Sequence, residues 1–205
     1  MTNPWIEIDL DDYERHMSLD SVFQLQAMNE MMKEQCESIS AKSVMVLGIA
    51  GGNGLEHIGR RGFENIYGVD INQEYLTACE KRYPELKGRL KTICADLMEV
   101  DVQLPHADLV VANLLVEYIG YACFQRVIEQ VGAQYVSCGI QINTDDSFVS
   151  DSPYLHVFDR LDEVHHQMEE ESLTEVLTQI GYRTVLRKER ELPNEKKLVR
   201  IDFER

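Results

Sequence analysis

SVMVLGIAGGNGLEHIGRRGFENIYGVD, Ser43 to Asp70, is the stretch from which the fold is read. Val44-Met45-Val46-Leu47 is a short apolar run of strand formers, and it ends abruptly in small residues: Gly48, Ala50, Gly51, Gly52 and Gly54. Leu55 and Ile58 then resume apolar spacing at i, i+3. That order spells strand, tight turn, helix. A turn so poor in side chains lets backbone N–H groups approach a ligand closely, and the start of a helix adds a partial positive charge. A second strand, Asn65–Val69, runs into Asp70, 16 residues beyond Gly54. In a βαβ unit this sets a carboxylate at the carboxyl end of the neighbouring strand, where it can accept both hydrogen bonds of a ribose diol. The unit suits a nucleoside.

The glycine spacing narrows the choice. A dinucleotide fingerprint G-x-G-x-x-G begun at Gly52 needs glycine at position 57, where His57 stands. Gly48, Gly52 and Gly54 fit the G-x-x-x-G-x-G of short-chain dehydrogenases, but the Tyr83…Lys87 pair comes too soon after them and encloses Pro84. Aligned on Leu47, LGIAGGNG resembles the first motif of class I S-adenosylmethionine-dependent methyltransferases, hydrophobic-Asp/Glu-x-Gly-x-Gly-x-Gly. Gly52, Asn53 and Gly54 match its second half; Gly48 replaces the acidic residue and Ala50 the first glycine. The resemblance implies an α/β fold: a Rossmann-like doubly wound seven-stranded sheet, mostly parallel with an antiparallel C-terminal strand, and helices on both faces. It implies S-adenosyl-L-methionine as cofactor, held by Gly48, Ala50, Gly52, Asn53, Gly54, Asp70, Ile71, Asp96, Leu97 and Asn113.

The remaining pattern follows the same order. Asp9–Met17 reads as a short helix, and Asp20 or Ser21 as the cap of a longer one bearing Leu25, Met28, Met32 and Cys36. Residues 1–40 thus form a helical cover ahead of strand one. Asn72 caps a helix with Leu76, Cys79 and Tyr83 on one face, stopped by Pro84. Leu90–Cys94, Asp108–Ala112 and Gln134–Ile140 are three further strands, with a helix through Tyr121, Phe124, Ile128 and Val131 between the last two. In 141–166 the pattern is lost, and Asp145, Asp146, Ser147, Asp151, Ser152 and Pro153 mark a long substrate-side loop. Leu173–Ile180 is a helix closed by Gly181, and Thr184–Arg190 with Lys197–Phe203 is a hairpin with Val199, Ile201 and Phe203 turned inward.

With 205 residues, 44% hydrophobic and 27% charged, one domain spanning 1–205 is expected. No run of eighteen apolar residues and no charged-then-apolar leader is present, so neither a membrane span nor a signal peptide is expected. Cys36, Cys79, Cys94, Cys123 and Cys138 lack C-x-x-C spacing, which fits buried thiols in the cytoplasm. A net charge of −16 repels phosphate backbones and makes nucleic acid a poor partner. Adjacent His165 and His166 point different ways on a helix, so no metal site is expected. Leu114-Leu115 after Asn113 departs from the Asn/Asp-Pro-Pro-Tyr form that methylates amide or adenine nitrogens, so the acceptor is a small molecule. Tyr13, His16, Glu117, Tyr118 and His156 are the candidate acceptor-side residues. An NAD(P)-dependent oxidoreductase and a non-catalytic S-adenosylmethionine-binding module are the alternatives.

Overall fold

Both faces of the first strand, β1 (Ser43–Leu47), are covered, which is why its sequence is a continuous apolar run rather than an alternation. Val44 and Val46 enter one hydrophobic cluster; Met45 and Leu47 enter the other. The computed structural model describes residues 2–143, 148–193 and 195–205. The further strands are β2 (Asn65–Asp70), β3 (Leu90–Cys94), β4 (Leu109–Asn113), β5 (Tyr135–Ile142), β6 (Arg183–Glu191) and β7 (Lys197–Glu204). They form one seven-stranded sheet in the order β3-β2-β1-β4-β5-β7-β6, with β7 antiparallel to both neighbours. The order reverses between β1 and β4, and a crevice opens at the carboxyl ends of those strands.

Helices α1 (Leu10–Ser18), α2 (Gln24–Ser38), α3 (Leu55–Arg61), α4 (Gln73–Arg82), α5 (Val116–Val131) and α6 (Glu170–Gln179) complete the layers. Residues of α2, α3 and α4 pack on one face of the sheet, those of α5 and α6 on the other. Asp9 caps α1 through the N–H groups of Asp11 and Asp12, and Asn72 caps α4 through those of Glu74 and Tyr75.

Three expectations change. Neither Asp20 nor Ser21 caps α2: residues 19–23 form a turn, with the N–H groups of Val22 and Phe23 both donating to Leu19 O, and the helix starts after Phe23 in a left-handed conformation (φ 57°). The loop expected from 141 begins later, because β5 runs through Ile142; the described part holds two single-turn 3-10 segments, Leu155–Phe158 and Leu161–Glu163. Asp145, Asp146 and Ser147 lie outside the described residues. The outer face of β7 is also buried, since Arg200 and Asp202 lie under α2. Arg200 Nη2 donates to Ser38 Oγ (2.6 Å), and its Nε donates to Asp202 Oδ1 (2.8 Å).

The turn after β1 is sealed by packing. A Cβ on Gly54, which has φ +90°, would stand 2.7 Å from Met32 Cβ on α2, whereas Gly62, with φ +77°, has nothing within 4 Å. Gly62→Ala therefore costs about 1–2 kcal/mol of backbone strain, while Gly54→Ala adds overpacking worth roughly 1–3 kcal/mol more. Urea denaturation of both variants checks this; equal losses would contradict the packing account.

Candidate active site

Asp70, the last residue of β2, holds the turn from below. Its Oδ2 accepts the Ala50 N–H (2.8 Å) and its Oδ1 the Asn72 N–H (2.9 Å). Ala50 sits at φ +46°, where a side chain is disfavoured, and the bond to Asp70 offsets that strain. Burial pushes the Asp70 carboxyl above its usual range, against the lowering by the N–H groups of Asn72, Ala50 and Ile71. Among the described residues no cation pairs with it.

This carboxylate faces a cleft of about 680 Å³, open at its mouth. Gly48, Ala50, Asp70, Ile71, Asp96 and Leu97, all expected at the cofactor, line it together with Asn113. Val69, Ala95, Leu115 and Ile119 give it apolar walls, and Asp96 stands at its edge with Oδ1 accepting the Met98 N–H (2.9 Å). Each Asp70 oxygen accepts one backbone bond and keeps a lone pair for another donor. An apolar slot with an uncompensated carboxylate at its base fits an adenosine with its ribose diol.

Other expected residues lie elsewhere. Gly52 and Gly54 reach none of the three cavities described here; a Cβ on Gly52 would meet Cys79 Sγ, Leu55 Cδ1 and the Tyr83 ring within 3.0 Å. Asn53 lines a second cavity, of about 600 Å³, between the turn and α1–α2; its Nδ2 donates to Leu25 O (2.9 Å). Asn113 turns its amide to α2, exchanging two 2.8 Å bonds with Gln35. His57, which interrupts the dinucleotide fingerprint, bonds Asn29 Oδ1 (2.8 Å). Glu14, not anticipated from sequence, lines the second cavity where the motif's acid is missing, paired with Arg82 (2.7 and 2.9 Å).

A third cavity, of about 510 Å³, adjoins the first through Trp5, Tyr13, Leu114 and Tyr118, which line both. Tyr13 lines all three. His16 and Glu117 belong to the third cavity, as expected from sequence; His156 is exposed, in the 3-10 segment Leu155–Phe158, outside all three. Glu117 reaches the cavity because α5 is broken at Gly120 (φ 72°, ψ 164°), which frees the Glu117 carbonyl to accept the His166 N–H (2.7 Å). His165, Gln24, Gln141 and Phe148 are the unanticipated lining residues. His165 stacks on Phe148 with ring centroids 3.8 Å apart. No sequence period signals residues 148–166, whose placement is set by tertiary contacts such as this one.

Glu117 is 3% exposed; its Oε1 accepts the Gln141 N–H (2.8 Å), and its Oε2 has no hydrogen-bond partner among the described residues. Burial pushes its carboxyl from 4.5 up to about 7, against the lowering by Gln141 and its own backbone N–H. Around it stand Tyr118 on α5, His16 on α1, and His165. Burial, then Lys196, holds His16 low; burial, then His166, brings His165 to about 4. A raised carboxyl contributes stability that is whole below pH 4.5 and is lost as pH rises toward 7, whereas the two lowered histidines act in the opposite sense. Glu117→Gln isolates the first effect. Denaturation curves should show the variant gaining on wild type between pH 4.5 and 7, by roughly 3 kcal/mol at pH 8. A difference independent of pH would contradict this assignment.

Residues 44–134 match the family described as methyltransferase domain. No curated protein sequence matches the chain. Solved structures share the fold. Magnesium protoporphyrin IX methyltransferase from Synechocystis PCC 6803, with bound S-adenosylhomocysteine, is 11% identical, with TM-score 0.67 over 95% of this chain and 93% of that one. The N-methyltransferase NodS from Bradyrhizobium japonicum WM9, also with S-adenosylhomocysteine, is 12% identical, with TM-score 0.67 over 95% and 97%. The [4+2]-cyclase SpnF is 11% identical, with TM-score 0.65 over 87% and 80%. The matched segment is thus a methyltransferase domain over residues 44–134, and the whole chain shares the fold of these solved structures.

Proposed function

We propose that the protein transfers a methyl group from S-adenosylmethionine to a small organic acceptor, with adenosine in the Asp70 cleft and the acceptor in the Glu117 cavity. The observation that carries this reading is the shared wall of Trp5, Tyr13, Leu114 and Tyr118, which sets the two cavities side by side. When bound, the cofactor supplies an electrophilic methyl group on a sulfonium. The chain supplies alignment and exclusion of water, which such a displacement chiefly needs. Asp70 orients the ribose, the Val69–Leu115 walls take the base, and the N-terminal segment closes the acceptor side. The acidic surface disfavours nucleic acid.

Residues 1–205 act in this reading as one methyltransferase unit, with 1–40 as its cover. Hydrogen bonds tie the cover to α4 and its start: Asn72 Nδ2 donates to Trp5 O (3.0 Å), Tyr75 OH to Ile8 O (2.8 Å), and Arg82 to Glu14. No helix among the described residues is long and apolar enough to cross a membrane. The five free cysteines accord with a cytoplasmic location.

Calorimetric titration with S-adenosylhomocysteine tests the cofactor assignment. Charge-assisted bonds from the diol contribute roughly 1.5–3 kcal/mol, so Asp70→Ala should weaken binding about ten- to over a hundred-fold. Asp96→Ala, losing one bond at an open edge, should cost about 1 kcal/mol. Wild-type affinity in a folded Asp70→Ala protein, checked by its melting curve, would contradict the assignment.

A further inference from the structure

Among the described residues, one fully buried polar atom of the third cavity's lining has no hydrogen-bond partner. Gln141 is fully engaged: its Oε1 accepts from Gln24, and its Nε2 donates to Asn143 Oδ1 (2.6 Å) and Phe148 O (2.9 Å). His16 Nδ1 is bonded to Ser152 Oγ (2.7 Å). Glu117 Oε2 alone is buried and without a hydrogen-bond partner among the described residues, beside an empty volume that Glu117 lines. A buried acceptor oxygen left unsatisfied is costly, and a ligand that donates to it recovers that cost.

The chemistry of the walls restricts the donor. Trp5, Tyr13, Tyr118, Phe148 and Phe158 supply aromatic surface; Trp5 and Tyr118 meet edge to face at 4.8 Å. Aromatic faces beside a carboxylate attract a cation. Both lining histidines are held neutral, in part by the buried Lys196, which does not itself line the cavity, so neither lining imidazole offers a positive charge to a carboxylate or phosphate group. The overall charge of −16 raises the local concentration of cations further.

We propose that this cavity recognises an organic amine, whose N–H donates to Glu117 Oε2 while its carbon body lies against Trp5, Tyr118 and Phe148. The proposal rests on the methyl-transfer reading and names its acceptor class. A neutral hydroxyl satisfies the same oxygen but gains nothing from the aromatic faces as a cation does. With its carboxyl near 7, Glu117 ionises beside an arriving ammonium and can also take one proton from it, giving a neutral amine and a protonated carboxyl. The same residue therefore both selects the charged form and releases the nitrogen lone pair.

The test uses the full chain and three matched probes: 2-phenylethylamine, 2-phenylethanol and 3-phenylpropionate. S-adenosylhomocysteine is titrated first, and its binding reports on the methyl-transfer reading by itself. Each probe is then titrated into the saturated protein at pH 7.5 and followed by ligand-observed nuclear magnetic resonance. The amine should bind about ten-fold or more tighter than the alcohol, and the propionate most weakly. Glu117→Gln should bring amine and alcohol within about three-fold of one another, and Glu117→Asp should restore part of the preference. Equal binding of the three probes, no amine binding at several millimolar, or an amine preference retained in Glu117→Gln would overturn the proposal. S-adenosylhomocysteine binding without amine selectivity fails the amine site alone, whereas amine selectivity without it fails the methyl-transfer reading.

Discussion

One half-buried carboxylate, with no cation paired to it among the described residues, joins the parts of this protein that must stay in register. Asp70 accepts the N–H of Ala50, fixing the turn after β1, and that of Asn72, fixing the start of α4. Asn72 in turn caps α4 and donates to Trp5 O, so a short hydrogen-bonded chain runs from turn to strand end, helix and N-terminal segment. Taking a carboxylate out of water is unfavourable, and two backbone N–H groups compensate only part of that cost. The remainder is available to a ligand with hydroxyl donors. A site of this kind binds by completing a structure that is already formed.

The N-terminal segment is as much a part of the site as the sheet. Trp5 and Tyr13 line both the cleft beside Asp70 and the cavity beside Glu117, and these residues come from the 3-10 turn Pro4–Ile6 and from α1. On the other side, Glu14 and Arg82 clamp the turn, with Arg82 Nη1 also donating to Gly51 O (2.9 Å). Glu14 on α1 is held there beside Gly51 by a bidentate ion pair with Arg82.

Where a physical signal is local, the sequence carried it. β1, β2 and β3 lie where the apolar runs put them, the caps at Asp9 and Asn72 stand where the side chains call for them, and Asp70 and Asp96 both reach the cleft. The readings that changed depend on distant partners. At Gly52 and Gly54 the sequence does not show the close approach of Cys79, Tyr83 and Met32, which also leaves no room for a side chain. Asn113 lines the cleft as expected, but its amide bonds to Gln35, 78 residues earlier, have no local signal. Arg200 and Asp202 alternate with apolar residues as an exposed face would, but α2 lies over them. The Glu117 cavity was legible in Tyr13, His16, Glu117 and Tyr118 and hidden in the rest, because 148–166 has neither helical nor strand periodicity and is positioned by contacts such as Phe148 stacked on His165.

The central claim is that cofactor and acceptor meet across the wall to which Trp5 belongs. Trp5 is the single tryptophan of the chain, so its fluorescence reports on that wall without substitution. Titration with S-adenosylhomocysteine should give a saturable change in its emission with the same midpoint as calorimetry. Calorimetric binding with unchanged Trp5 emission would contradict the account.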